Sequence, residues 1–185
     1  MVVPGSDDKE RNTDFTCSFP PVFRTDAQIL LLGSMPGKAS LRARQYYAHP
    51  QNSFWPIIES LFGVPAALSY IERTNLLVSN KIAVWDVFRS CIRNGSLDSS
   101  IQFGSATAND FSGFFKIVPE IRAVFFNGAT AEREYVKRVA PTLSGKPATL
   151  PTYRLPSTSP AMAVMSREQK LERWQSITEF LNCAA

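Results

Sequence analysis

The chain has 185 residues, 44% of them hydrophobic, which is enough apolar sequence for one domain with a substantial core. Its formal net charge of +4 is compatible with a polyanionic partner but does not require one. No apolar run approaches the roughly 18 residues needed to span a bilayer, so we expect no membrane partner. One histidine and three widely separated cysteines argue against a zinc site and a disulfide framework. We therefore expect no metal, no cofactor and a cytoplasmic location.

The hydrophobic pattern predicts one α/β domain behind a polar leader. Residues 1–16 lack periodicity and are expected to form a flexible leader, with a single domain over 17–185. Short apolar runs predict strands at 27–33, 81–87, 122–127 and, interrupted by proline at a sheet edge, 148–155. Amphipathic spacing predicts helices at 53–62, 66–77, 107–118, 129–139 and 166–182. This alternation predicts a three-layer α/β/α sandwich with a central four-stranded parallel sheet.

Two long loops are expected between these elements. Residues 88–101 contain an Asn-Gly pair and no clear period, which predicts a loop. The segment Gly33–Ser40 resembles a phosphate-binding P-loop, but it has one residue too few between its glycines. Ala39 also replaces the hydroxyl residue that holds magnesium, and no helix is expected immediately after Ser40. Nucleotide hydrolysis is therefore disfavoured.

The stretch Tyr46–Trp55 contains the one histidine, two adjacent tyrosines and an asparagine behind a proline. Asn52 can cap the following helix or take part in chemistry, and the sequence leaves both roles open. His49 can donate a proton, contact an anion or fix the loop, and Tyr47 offers a ring on which a base can stack. Phe54 occupies a helix position and is expected mainly to hold the loop down.

Further polar groups follow the other strands. Asp86 and Asn127 stand where two strands end, and a buried unpaired aspartate is costly, so we expect Asp86 to have a partner, with an arginine favoured. The segment Leu155–Met162 is rich in Ser, Thr and Pro, as in a rigid loop that contacts phosphate and inserts an apolar tip into a groove. Because the carboxyl ends of parallel strands share one sheet edge, we expect these groups to meet there.

Taken together, these motifs resemble the uracil-DNA glycosylase superfamily, and within it the hypoxanthine-DNA (DNA-deoxyinosine) or mismatch-specific glycosylase branch. The resemblance covers about residues 27–182, with its motifs in the expected order. They are Leu32–Gly37, Tyr46–Trp55, Val84–Val87, Gly95–Asp98, Phe126–Gly128 and Leu155–Ala161.

The resemblance implies hydrolysis of the bond between a deaminated base and deoxyribose, without metal or cofactor, on DNA that contains deaminated or mismatched bases. In better-known branches the first motif carries an Asp or Asn that positions water, and the last motif begins with a catalytic His. Those places hold Ser34 or Met35 and Leu155 here, so neither role is transferred. The essential asparagine of the hypoxanthine-type branch matches Asn52. We also expect a monomer associated with the nucleoid.

The predicted site has three groups of residues. The catalytic group comprises Asn52, His49 and Ser34. The base-binding group comprises Tyr47, Met35, Pro36, Phe54, Asp86 and Asn127. The DNA-binding group comprises Lys38, Arg42, Arg44, Ser157, Thr158, Ser159 and Met162. Two other readings stay open, a damaged-DNA-binding module without catalysis and a hydrolase of small nucleosides, and the sequence does not rank hypoxanthine against uracil.

Overall fold

The computed structural model describes residues 15–64 and 68–183, within which two β-sheets and seven α-helices form the domain. The strands are β1 Phe15–Cys17, β2 Ile29–Gly33, β3 Ile82–Asp86, β4 Phe88–Arg93, β5 Ile101–Ala108, β6 Ala123–Asn127 and β7 Thr152–Leu155. The helices are α1 Lys38–Ala43, α2 Phe54–Leu61, α3 Tyr70–Ser79, α4 Phe111–Ile117, α5 Ala129–Arg138, α6 Arg167–Trp174 and α7 Ser176–Asn182.

The central sheet has four parallel strands in the order β3-β2-β6-β7, which confirms the predicted fold class. Successive side chains of β2 point to opposite faces. Leu30 and Leu32 enter a core with α4 and α5, whereas Ile29 and Leu31 enter a second core with α2, α3 and the C-terminal helices. Every residue of β2 is buried, as expected for a strand covered on both faces.

The second sheet is a finding that the sequence prediction missed. Strands β1, β4 and β5 pair antiparallel, so half of the segment predicted as a loop at 88–101 is strand. Register shifts between Phe88 and Ser90, and again between Ser90 and Ile92, break the alternation that would have identified β4. The leader was predicted to end at residue 16, but β1 begins at Phe15; residues 1–14 lie outside the described part of the chain.

Three helix predictions also need correction. Helix α1 begins at Lys38, immediately after Gly37, so the expectation that no helix follows the first loop was wrong. The missing loop residue and Ala39 still argue against a P-loop. The predicted start of α3 at residue 66 lies outside the described residues, and the helix is described from Tyr70, behind a Ser69–Glu72 capping box. The predicted C-terminal helix is divided at Gln175 into α6 and α7. In the described ranges, no helix is long and apolar enough to cross a membrane.

Candidate functional site

A cavity of about 500 Å³ opens at the carboxyl ends of β2, β3 and β6. Its walls come from the first loop, from the segment before α2, from the tip between β4 and β5, and from the loop after β7. The predicted site residues that line it are Ser34, Met35, Pro36, Lys38, Tyr47, His49, Asn52, Asp86, Asn127, Ser157, Thr158, Ser159 and Met162. The structure therefore gathers at one sheet edge most of the side chains that the sequence selected.

Asn52 lies on the cavity wall and also supports the start of α2. Its Oδ1 accepts a hydrogen bond from the Phe54 N–H at 3.0 Å, and its own N–H donates to the His49 carbonyl. The Nδ2 group makes no hydrogen bond to any residue in the described ranges. The oxygen of the amide is thus occupied by the helix, while its donor end is available to a ligand.

Tyr47 lines the cavity from a strained backbone position. Its φ is 55°, in the left-handed region, and its ring stacks on Phe54 with centroids 3.8 Å apart. Burial and the nearby Asp86 carboxyl raise the pKa of Tyr47, and the Asn127 amide opposes that rise. The hydroxyl is buried and has no partner with ordinary hydrogen-bond geometry among the described residues.

The structure does not support the prediction that Phe54 contacts the base. The structure places it in the core, fully buried between Tyr47, Trp55 and Trp174, and outside the cavity lining. It occupies the first position of α2, whose apolar face packs against the sheet. Phe54 therefore supports the Tyr47 ring from beneath instead of contacting a base.

Asp86 is 3% exposed, and its Oδ2 has no hydrogen-bond partner in the described structure. Burial raises the pKa of Asp86 from its ordinary 3.8 to about 8; the Asp98 charge adds to the rise and Arg93 opposes it. The expected ion pair with an arginine is absent among the described residues. Arg93 is buried instead with one contact to the Pro36 carbonyl, and its Nε and Nη1 are unpaired there. Asp86 is therefore mostly protonated at neutral pH and can donate a hydrogen bond into the cavity.

Thr158 and Asn127 join the last loop to the sheet. The Asn127 amide donates to the Thr158 hydroxyl and accepts from its N–H, at 2.9 and 2.8 Å. The Thr158 carbonyl accepts from the N–H and hydroxyl of Ser53. Thr158 is 1% exposed, so its predicted phosphate contact is not supported; it positions the loop. The side-chain oxygen of Asn127 and one of its side-chain N–H groups are therefore both engaged by Thr158.

The remaining predicted residues differ in their access to the cavity. His49 is exposed at the rim, and its Nδ1 accepts from the Gln51 N–H at 3.2 Å. Arg42 and Arg44 are exposed on and just after α1, outside the cavity lining. They remain candidates for contact with a DNA backbone and not with a base.

Sequence reasoning missed one wall of the cavity. Residues 96–99, between β4 and β5, line it, and Asp98 accepts a 2.7 Å hydrogen bond from the Ser34 hydroxyl. The Gly95–Asp98 motif carried part of the family resemblance, but its segment was interpreted as a loop without a site role. Within the described ranges, no group of three His, Cys, Asp or Glu side chains could hold a metal.

Comparison with known proteins assigns the family. A sequence profile described as Uracil DNA glycosylase superfamily matches residues 20–181. The chain belongs to the uracil DNA glycosylase superfamily. The protein is therefore a DNA glycosylase, which confirms the enzyme class expected from the motifs.

Two curated relatives in this superfamily are both named hypoxanthine DNA glycosylase. The one from Methanosarcina acetivorans is 38% identical over 160 residues, covering 86% of this chain and 95% of the relative. The one from Methanosarcina barkeri is 40% identical over 111 residues, covering 60% and 69%. The solution NMR structure of a candidate uracil DNA glycosylase from Methanosarcina acetivorans superposes with a TM-score of 0.74 at 35% identity, covering 91% of this chain and 99% of that one.

Proposed function

We propose that this glycosylase hydrolyses the N-glycosidic bond of hypoxanthine, and of uracil, turned out of DNA into the cavity, and that it does so without a metal. Both curated relatives carry the name hypoxanthine DNA glycosylase, which supports the choice of base. The observation that carries the proposal is Asn52, whose free Nδ2 group lies on the wall of a cavity at the tips of the parallel strands.

The lining suits a base that offers adjacent C=O and N–H groups. Hypoxanthine has a lactam edge and uracil an imide, so each can accept from an amide donor and pair with a group that both donates and accepts. Asn52 supplies the donor, and the neutral Asp86 carboxyl is the group that both donates and accepts a hydrogen bond. Adenine lacks the carbonyl and leaves one of these protein groups unmatched in a buried site, which costs binding energy.

Catalysis follows from what changes as the bond breaks. The sugar becomes oxocarbenium-like and the base departs with negative charge, so hydrogen-bond donors fixed toward the base lower the barrier. Asn52 is held by its bond to the Phe54 N–H, so its amide does not need to reorganise at the moment of reaction. The Tyr47 ring, supported by Phe54, provides the surface on which the turned-out base stacks.

Contacts with the DNA backbone come from the cavity rim. Ser157 and Ser159 lie on the loop that Thr158 fixes to the sheet, and Met162 is an exposed apolar residue at its far end. Arg42 and Arg44 add salt-sensitive attraction to phosphates. We further propose that the protein acts as a monomer on the nucleoid.

The test uses duplexes with a single deoxyinosine, uracil or G:T site, heated in alkali after incubation to cleave abasic sites. Two variants at position 52 separate helix capping from chemistry. Asn52→Asp keeps an oxygen for the Phe54 N–H but removes the amide donors, whereas Asn52→Ala removes both. We expect both variants to lose excision, while only Asn52→Ala loses about 1 kcal/mol of stability.

The outcomes distinguish the alternatives. Strand breaks at deoxyinosine with wild type and none with Asn52→Asp support the proposal. Tight binding to the damaged duplex without base release by wild type identifies a binding module instead. Release from free nucleosides but not from duplexes identifies a nucleoside hydrolase.

A further inference from the structure

The tip of the β4–β5 hairpin is fixed to the first loop by two hydrogen bonds. The Ser34 hydroxyl donates to Asp98 Oδ1 at 2.7 Å, and the Lys38 N–H donates to the Ser96 hydroxyl at 3.2 Å. Residues from both loops line the cavity. The hairpin therefore places the Asp98 carboxylate near the carboxyl ends of the parallel strands, although Asp98 is far from Ser34 in the sequence.

Asp98 is equipped to receive another hydrogen bond. Its Oδ1 is engaged by Ser34, but its Oδ2 makes no hydrogen bond, and the carboxylate makes no ion pair, with any residue that the structure describes. Asp98 is partly exposed at the cavity wall. An ionised carboxylate with one oxygen fixed and the other free can orient a water molecule.

The other titratable groups of the lining are poor proton acceptors for water. Asp86 is mostly neutral at pH 7 because burial raises its pKa to about 8. Lys38 is a cation, and Tyr46 and Tyr47 are neutral phenols. His49 is exposed, and its Nδ1 already accepts the Gln51 N–H. The roles therefore divide between two carboxyl groups, with Asp86 donating to the base and Asp98, whose Oδ2 is free, left to act on the water.

We propose that Asp98, positioned by Ser34, is the catalytic carboxylate that binds and deprotonates the attacking water. This rests on the proposed glycosylase function and adds a catalytic residue to it. The water oxygen bonds to C1′ of deoxyribose as the bond from C1′ to the base nitrogen breaks, and the electron pair of that bond leaves with the base. The water gives one proton to Asp98, the base anion takes one proton from solvent, and Asp98 then returns its proton to solvent, so the products are an abasic sugar and the neutral free base.

Single-turnover excision of deoxyinosine tests the assignment. We expect Asp98→Asn to slow bond cleavage by at least about 100-fold, the typical contribution of a positioned base. Its affinity for a duplex with uncleavable 2′-fluoro-deoxyinosine should stay within about twofold of wild type. Added formate should restore part of the rate of Asp98→Ala, because a small carboxylate can occupy the vacated volume; a merely structural role would show no such rescue.

Two further variants complete the design. Asp26→Asn removes the same charge from an exposed carboxylate paired with Arg24, away from the cavity, and should leave the rate unchanged. Ser34→Ala should slow cleavage less than Asp98→Asn and add little to it in the double variant, because both changes disrupt one unit. Ser34→Ala also provides the test if Asp98→Asn does not fold.

The inference is overturned if Asp98→Asn cleaves at the wild-type rate while Asn52→Asp does not, a result that leaves the proposed function intact. It is equally overturned if cleavage by Asp98→Ala falls without rescue by formate and the melting temperature falls with it. If wild type itself releases no base from DNA, the proposed function fails first, and that outcome is distinguishable from the other two.

Discussion

Replacing Asp86 by asparagine should stabilise the protein at neutral pH and remove a pH dependence that the buried carboxyl imposes. The carboxyl has a pKa of about 8 in the folded protein and an ordinary value of 3.8. Between those values the folded state holds a proton that the unfolded state has released, so the free energy of unfolding falls as pH rises. At about 1.4 kcal/mol per pH unit, the loss reaches about 4 kcal/mol at pH 7.

Asparagine has nearly the shape of the protonated acid and never needs to ionise. Its buried amide carries its own desolvation cost of about 1 to 3 kcal/mol, so the expected net gain at pH 7 is about 1 to 3 kcal/mol. For a chain of this length, that gain raises the melting temperature by roughly 5 °C. Below about pH 4 the wild-type carboxyl is protonated in both the folded and the unfolded state, so the gain disappears and wild type should be the more stable protein by the cost of burying the amide.

Urea unfolding of wild type and Asp86→Asn across about pH 4 to 8 measures how the free energy of unfolding of each protein changes with pH. Asp26→Asn is the matched control, because that carboxylate is exposed and its removal should not flatten the slope. Excision gives a second measure, because the wild-type rate should fall above about pH 8 as Asp86 loses its donor proton, whereas Asp86→Asn should lack that decline. A variant as pH-dependent as wild type, or one less stable at pH 8, would refute the reasoning.

The remaining predictions concern the cavity floor, the last loop and the rim. Tyr47→Phe keeps the ring stack and removes a buried hydroxyl without a described partner, so thermal unfolding should show unchanged or up to about 1 kcal/mol higher stability. Gly128→Ala should cost more than 1 kcal/mol and weaken DNA binding, because φ is 100° and the added Cβ lies 2.9 Å from the Ser157 Cβ. Gly63→Ala, with φ 63° and open space, is its control and should leave DNA affinity unchanged in a titration. Arg44→Ala should reduce the salt slope of the binding constant by about one without altering base preference; an unchanged slope would place Arg44 off the DNA.

The parallel sheet was predictable because strands buried on both faces appear as continuous apolar runs bounded by glycine or polar residues. Ile29–Gly33 and Ala123–Asn127 are such runs, and both form central strands. The antiparallel sheet was not predictable from hydrophobic periodicity, because the register shifts of β4 disrupt the alternation of apolar and polar residues along that strand. Helix α1 was missed because it follows a Gly- and Pro-containing loop and is only six residues long.

The candidate site was partly predictable for a topological reason. Parallel strands place their carboxyl ends at one edge, so Asp86 and Asn127 were expected together with Asn52. Asp98 was missed because its approach depends on the hairpin, and no spacing in the sequence indicates how a hairpin tip folds back. Phe54 was expected mainly to hold the loop down, and the structure supports that role over its place in the base-binding group. Thr158 was assigned to phosphate because its burial, which decides between contact with a ligand and support of a neighbour, is not visible in the sequence.

The hairpin that bears Asp98 contributes one wall of the cavity, yet it belongs to a different sheet from the strands that form the cavity floor. Insertions or exchanges at its tip can therefore reshape the chamber without disturbing the parallel register or the two cores on either side. Changes in this one turn can therefore alter the substrate range, while the scaffold that orients Asn52 keeps its structure. A laboratory library at residues 96, 97 and 99, with Asp98 retained, would explore the same route.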